Sequence, residues 1–126
     1  MASLQPHIFP YIKKNNKDFN KEIGTITFGS EIQIGAFNIL QGYGGICIDD
    51  KVTTSARVSI YSHSHYPFDK NNRSTVTYAN SMVRNSPISC IESPIVIKEG
   101  VWIGLNVIIF AGAINKNCFI ASNSIV

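Results

Sequence analysis

The chain has 126 residues, 44% of them hydrophobic, and a formal charge of +3. That length fits one domain with a small core, and the basic excess is too slight to argue for nucleic acid as a partner. The three cysteines form no CxxC pair, which excludes a disulfide framework or a zinc knot as the organising principle and fits a reducing compartment.

Residues 1–22 are polar, contain Pro6 and Pro10, and carry Lys13, Lys14, Lys17 and Lys21. No charged start followed by an apolar run stands here, so no secretory signal is read. The longest uncharged apolar stretch, Val107 to Ile114, falls far short of the roughly 20 residues that span a bilayer. A cytoplasmic protein without a membrane span is the expectation. This leader reads as a cap over an exposed edge or as a disordered tail.

From residue 23 an apolar residue returns at every sixth position: Phe28, Ile34, Leu40, Ile46, Val52 and Val58. Neither an amphipathic helix nor an alternating strand has period six, so this is a repeat architecture. The spacing predicts a three-sided coil with one inward side chain per corner. Gly35, Gly42, Gly44 and Gly45 are read as corner residues that supply positive backbone dihedrals. No helix pattern follows Gly42-Tyr43-Gly44-Gly45, which excludes a dinucleotide-binding loop.

The period lapses over residues 61–94, a serine- and proline-containing loop long enough to be functional. The period returns with Ile97, Ile103 and Ile109, then Ile114, Ile120 and Val126 after a five-residue stride. The domain therefore runs over 23–126, and its stop on a ladder position reads as a C-terminal truncation or as an edge covered by something outside this sequence.

The ladder, with Pro94-Ile95-Val96-Ile97-Lys98-Glu99-Gly100-Val101-Trp102-Ile103-Gly104 after a long excursion, resembles the hexapeptide-repeat acyltransferases. The likeness is greatest to sugar O-acetyltransferases of the maltose and galactoside type and to polysaccharide O-acetyltransferases. It implies an all-β fold, a left-handed parallel β-helix that departs from the usual crossover hand. It further implies a homotrimer with acetyl-CoA in clefts between subunits and a small-molecule sugar or polysaccharide acceptor.

Acetyl transfer to a hydroxyl needs a base near working pH, which a neutral imidazole supplies. The segment Val58-Ser59-Ile60-Tyr61-Ser62-His63-Ser64-His65 is where the resemblance places the general base. It falls on His65, with His63 as the alternative base or as an acceptor contact. Backbone N–H groups around Gly104 and Leu105 are implied oxyanion donors. Trp102 is either corner packing or an aromatic wall of the site. Ser122 and Asn123 match the cofactor cleft, or are polar corners. Asn38, Tyr43, Asp49, Asp50 and Asn85 are surface groups able to meet a sugar, with Asn85 favoured. The threonine-lysine step that meets coenzyme A in relatives is missing, and Lys116 offers positive charge elsewhere. No metal is expected: the His-x-His pair lacks a third ligand, His7 being a poor one. Rival readings are N-acyl transfer to an amino sugar, a truncated non-catalytic interaction coil, and a zinc-dependent hydratase with a ligand from a neighbouring subunit.

Overall fold

The computed structural model describes residues 7–9, 24–78, 80, 85–110 and 112–126. The first segment is β1 (His7–Phe9), and the winding begins with β2 (Ile26–Phe28), β3 (Gln33–Ile34) and β4 (Ile39–Gln41). A second coil follows as β5 (Ile46–Ile48), β6 (Thr53–Thr54) and β7 (Ser59–Tyr61). The chain then leaves the coil as β8 (His63–Asp69) and returns as β9 (Ile88–Glu92). It resumes with β10 (Ile95–Ile97), β11 (Trp102–Ile103) and β12 (Ile108–Ile109), and a further turn holds β13 (Gly112–Ile114) and β14 (Phe119–Ile120).

Three faces result, in the orders β2-β5-β10-β13, β3-β6-β11-β14 and β1-β4-β7-β12, every adjacent pair parallel. The three faces are those that the period of six predicts, and the architecture is the left-handed parallel β-helix that the resemblance implies. Of the leader, β1 adds a strand to the edge of β4, and the rest lies outside the described residues. Among the described residues no helix is long and apolar enough to cross a membrane.

The core is an axial stack of aliphatic side chains, including Leu40, Ile46, Val58, Ile95, Ile103 and Ile109. Units of the middle coils bury two side chains each, not one. Val52 and Thr54, Val58 and Ile60, and Val101 and Ile103 all point inward, because residues i and i+2 of an extended segment share a face. The apparent ladder also changes column. Leu40 lies beside Ile60, whereas Ile46 lies beside Ile26 and Phe28 beside Ile48. Two extra residues in Gly42–Gly45 shift the phase while keeping the numerical spacing. Phe28, expected in the core, is 45% exposed.

The corner glycines correct a second expectation. Of the four, only Gly45 has a positive φ. The left-handed conformation at most corners is held by Glu31, Phe37, Lys51, Arg57, Asn106, Asn117 and Asn123. Gly35 is required instead by close approach: a Cβ there would strike the Ser55 carbonyl, and one on Gly44 would strike the Ser62 carbonyl. Asn38 is likewise no sugar contact. It is fully buried, donating to Ala36 O (3.2 Å) and Ser55 O (2.8 Å) and accepting from Thr54 Oγ1 at 2.6 Å.

Two glycines separate these effects. Gly112 has φ +93° with open space beside it, so Gly112→Ala should cost about 1–2 kcal/mol from conformation alone. Gly35→Ala must displace backbone and should cost about 3 kcal/mol or more. Urea unfolding of both variants checks this, and the reverse order would remove the close-approach account.

Candidate functional site

The site grows from the corner between the third face and the first, where the chain departs after β7. Ser62 is buried there. Its hydroxyl donates to Gln41 O at 2.6 Å and accepts from Gly44 N at 2.9 Å, while Ser93 N donates to Ser62 O at 2.9 Å. Both legs of the excursion are thereby tied to the coil at one residue. The excursion itself is an antiparallel ribbon of β8 and β9, where the sequence reading expected an irregular loop.

In that ribbon His63 faces Glu92 and His65 faces Cys90 across the strands. Alternation puts these four side chains on one face and Ser64, Tyr66, Ser89 and Ile91 on the other. His63 is half-buried and His65 exposed. The His63 ring lies 4.5 Å from the Tyr43 ring and 4.6 Å, edge-on, from that of His65. Gln41 Nε2 reaches His63 Nδ1 at 3.4 Å, and Gln41 Oε1 accepts from Tyr43 N at 3.4 Å. The backbone donor fixes which end of the amide faces the imidazole. His63 Nδ1 is then the acceptor, and the ring proton of neutral His63 resides on Nε2. In that tautomer the Nε2–H of His63 is a donor, and the Nδ1 lone pair is taken up by Gln41.

Burial holds the His63 imidazole below its ordinary pKa; the neighbouring His65 adds to this, and the Glu92 carboxylate opposes it. A shallow cleft opens at the ribbon root, lined by Tyr61, Ser62, His63, Ser64, Tyr66, Ile91, Ser93 and Phe110.

Gly104, Leu105, Ser122 and Asn123 gather at a different corner, between the second and third faces, with Trp102 on the strand before it. Gly104 N bonds Ile120 O at 2.9 Å, and Leu105 N bonds Ser122 Oγ at 3.0 Å. Both proposed oxyanion donors are thus engaged within the coil, and an oxyanion must compete with the Ser122 hydroxyl for Leu105. Asn123 N bonds Leu105 O, and Asn106 Nδ2 bonds Asn123 Oδ1. Trp102 is 52% exposed on an outer face beside Phe119, so it does not pack into a corner. Asn85 is an exposed turn residue with φ 58°. Asp50 caps the coil by accepting from Ser30 N at 2.7 Å, and Asp49 accepts from Cys47 Sγ at 3.6 Å. Lys116 pairs with Glu99 at 2.9 Å. Gln41, Cys90 and Glu92 were not anticipated, although Ser89-Cys90-Ile91-Glu92 repeats the alternation of Ser62-His63-Ser64-His65.

No family model matches the chain, and no curated protein matches it. Solved structures of AntD, an N-acyltransferase from Bacillus cereus, are similar to it. A mutant of AntD in complex with dTDP and coenzyme A is 24% identical, with a TM-score of 0.68, over 82% of this chain and 54% of that one. The complex with dTDP and 3-hydroxybutyryl-CoA is 17% identical at a TM-score of 0.54, covering 96% of this chain and 65% of that one. A second mutant, bound to dTDP-4-amino-4,6-dideoxyglucose and coenzyme A, is 19% identical at a TM-score of 0.56, over 80% and 55%. The likeness is one of fold. This chain spans between about half and two thirds of the length of those proteins.

The His63 environment has a consequence for stability. Its folded pKa lies below the unfolded value of about 6.5. As pH falls through that value, the unfolded chain takes up the proton first, so stability declines on the acid side. His63→Gln should flatten that decline. Urea midpoints across pH 5–8 check it, and an unchanged slope in the variant would be inconsistent with a depressed imidazole.

Proposed function

We propose that this chain is the coil region of a coenzyme-A-dependent acyltransferase that acylates an amino sugar, carried on a nucleotide or free. The observation that carries the proposal is the paired imidazoles at the ribbon root, with His63 held by Gln41 and Tyr43 and His65 left exposed. The amine attacks the thioester carbonyl and passes its proton to His65 as the C–N bond forms. Collapse of the tetrahedral intermediate expels the coenzyme A thiolate, which recovers a proton. The oxyanion needs oriented donors, and His63 Nε2–H is one available beside the base.

An amine acceptor is preferred to the hydroxyl that the maltose- and galactoside-type resemblance suggests. The support is that the solved structures sharing the fold are N-acyltransferase structures, one of them with an amino sugar bound. The donor is an acyl-CoA, with acetyl-CoA as the simplest. The imidazole pair and the Trp102, Gly104, Leu105, Ser122 and Asn123 group lie at different corners of one chain. Our reading is that copies of the chain bring them together across a cleft, as a homotrimer would. The thiols of Cys47, Cys90 and Cys118 are free, in keeping with a reducing, cytoplasmic setting.

In an acyl-CoA consumption assay the amino sugar should be turned over faster than its hydroxy counterpart. His65→Ala should lower kcat roughly 100- to 10,000-fold. A variant with undiminished transfer would end the role of His65, and equal rates with both acceptors would end the preference for an amine.

A further inference from the structure

The face of the ribbon that carries the histidines holds more than acyl transfer requires. Ligand atoms of His63, Cys90 and Glu92 all lie within 4.8 Å of one another. His65 stands opposite Cys90 in register, with its ring 4.6 Å from that of His63. An imidazole nitrogen, a thiolate and a carboxylate are the donor types that zinc takes at three protein positions, with the fourth left for water or a further side chain. We propose that His63, Cys90 and Glu92 form a binding site for a zinc-class divalent cation, with His65 within reach as a fourth ligand.

Three features of the molecule favour capture. The ligands come from two neighbouring strands joined by main-chain hydrogen bonds, so the side chains, not the backbone, make the small contraction a coordination sphere needs. The strands are anchored at Ser62 and Ser93, which restricts the ways the cluster can spread. His63 already has an amide partner on one ring nitrogen. That contact restricts the swing of the ring and so limits where its second nitrogen points. Binding deprotonates the Cys90 thiol, its proton going to solvent, with no change of oxidation state.

An ion held here would engage His63 and, when His65 joins, remove the base from service. Zinc would then inhibit acyl transfer and a chelator restore it. That consequence rests on the acyl-transfer reading, whereas the ion site does not.

Cobalt(II) titration of the whole chain tests the site without any acyl acceptor. Cys47→Ala with Cys118→Ser serves as the parent, leaving Cys90 as its only thiol. The parent should develop a near-ultraviolet thiolate-to-cobalt band that zinc abolishes by displacement. Cys90→Ala in that parent should lack the band and bind zinc more than about 100-fold more weakly, beyond the cost of losing an outer-shell partner. His63→Gln should weaken both metals while its circular dichroism spectrum matches that of the parent. Absence of the band at saturating cobalt, or zinc affinity that survives Cys90→Ala, overturns the proposal. Neither result depends on whether the protein transfers an acyl group.

Discussion

The fold depends on one repeated contact, the hydrogen bond that a left-handed corner residue sends to the coil before it. Lys51 N donates to Ser30 O, Arg57 N to Ala36 O, Gly100 N to Asp50 O and Asn106 N to Ala56 O. Asn117 N and Asn123 N continue the series to Glu99 O and Leu105 O. In each pair the acceptor immediately precedes the corresponding left-handed residue of the earlier coil. Positive φ rotates the amide along the axis, so a conformation costing about 1–2 kcal/mol for a residue with a side chain satisfies a backbone donor that would otherwise be stranded at a bend. Strands of two or three residues could not hold the stack alone; corners and core act together.

Glycine was the obvious sequence signal for such corners, and it misled. Charged and aromatic side chains hold several of the left-handed positions, because their side chains project freely into solvent and only the backbone is constrained. Glycines 35 and 44 mark a different demand, that of two coils in close contact. The period of six was legible because the column of buried aliphatics is local in sequence. Its phase change at Gly42–Gly45 was not, since a two-residue insertion leaves every sixth residue apolar while exchanging the two inward positions.

The site was half legible for the same reason. A His-x-His segment at the end of a ladder stands out, and its extended backbone places both rings on one face. Cys90 and Glu92 lie more than 20 residues away, and their contribution arises from antiparallel pairing of β8 with β9. Short alternation in Ser89-Cys90-Ile91-Glu92 signals a strand without naming its partner. Tyr43 and Gln41 reach His63 only because consecutive coils stack, bringing residues 22 and 20 positions apart into contact.

The position of the ribbon follows from the corner ladder. At the other two corners the left-handed residue is bonded to the coil before it, and an insertion would break that bond. At the corner between the third and first faces, Gly45 N turns back to Gly42 O within its own coil, and the next coil presents Pro94, which has no N–H to lose. Coil three nevertheless docks on coil two as though the excursion were absent, with Ile95 N on Gly45 O and Gly100 N on Asp50 O. The chain can therefore be lengthened at this corner without disturbing the stack. Reactive side chains carried there answer to the chemistry of the ribbon alone, while the coil supplies Ser62, Gln41 and Tyr43 as a rigid seat. His63 gains a defined tautomer and a defined neighbour from that arrangement, and the same rigidity lets two strands bring an imidazole, a thiol and a carboxylate close together.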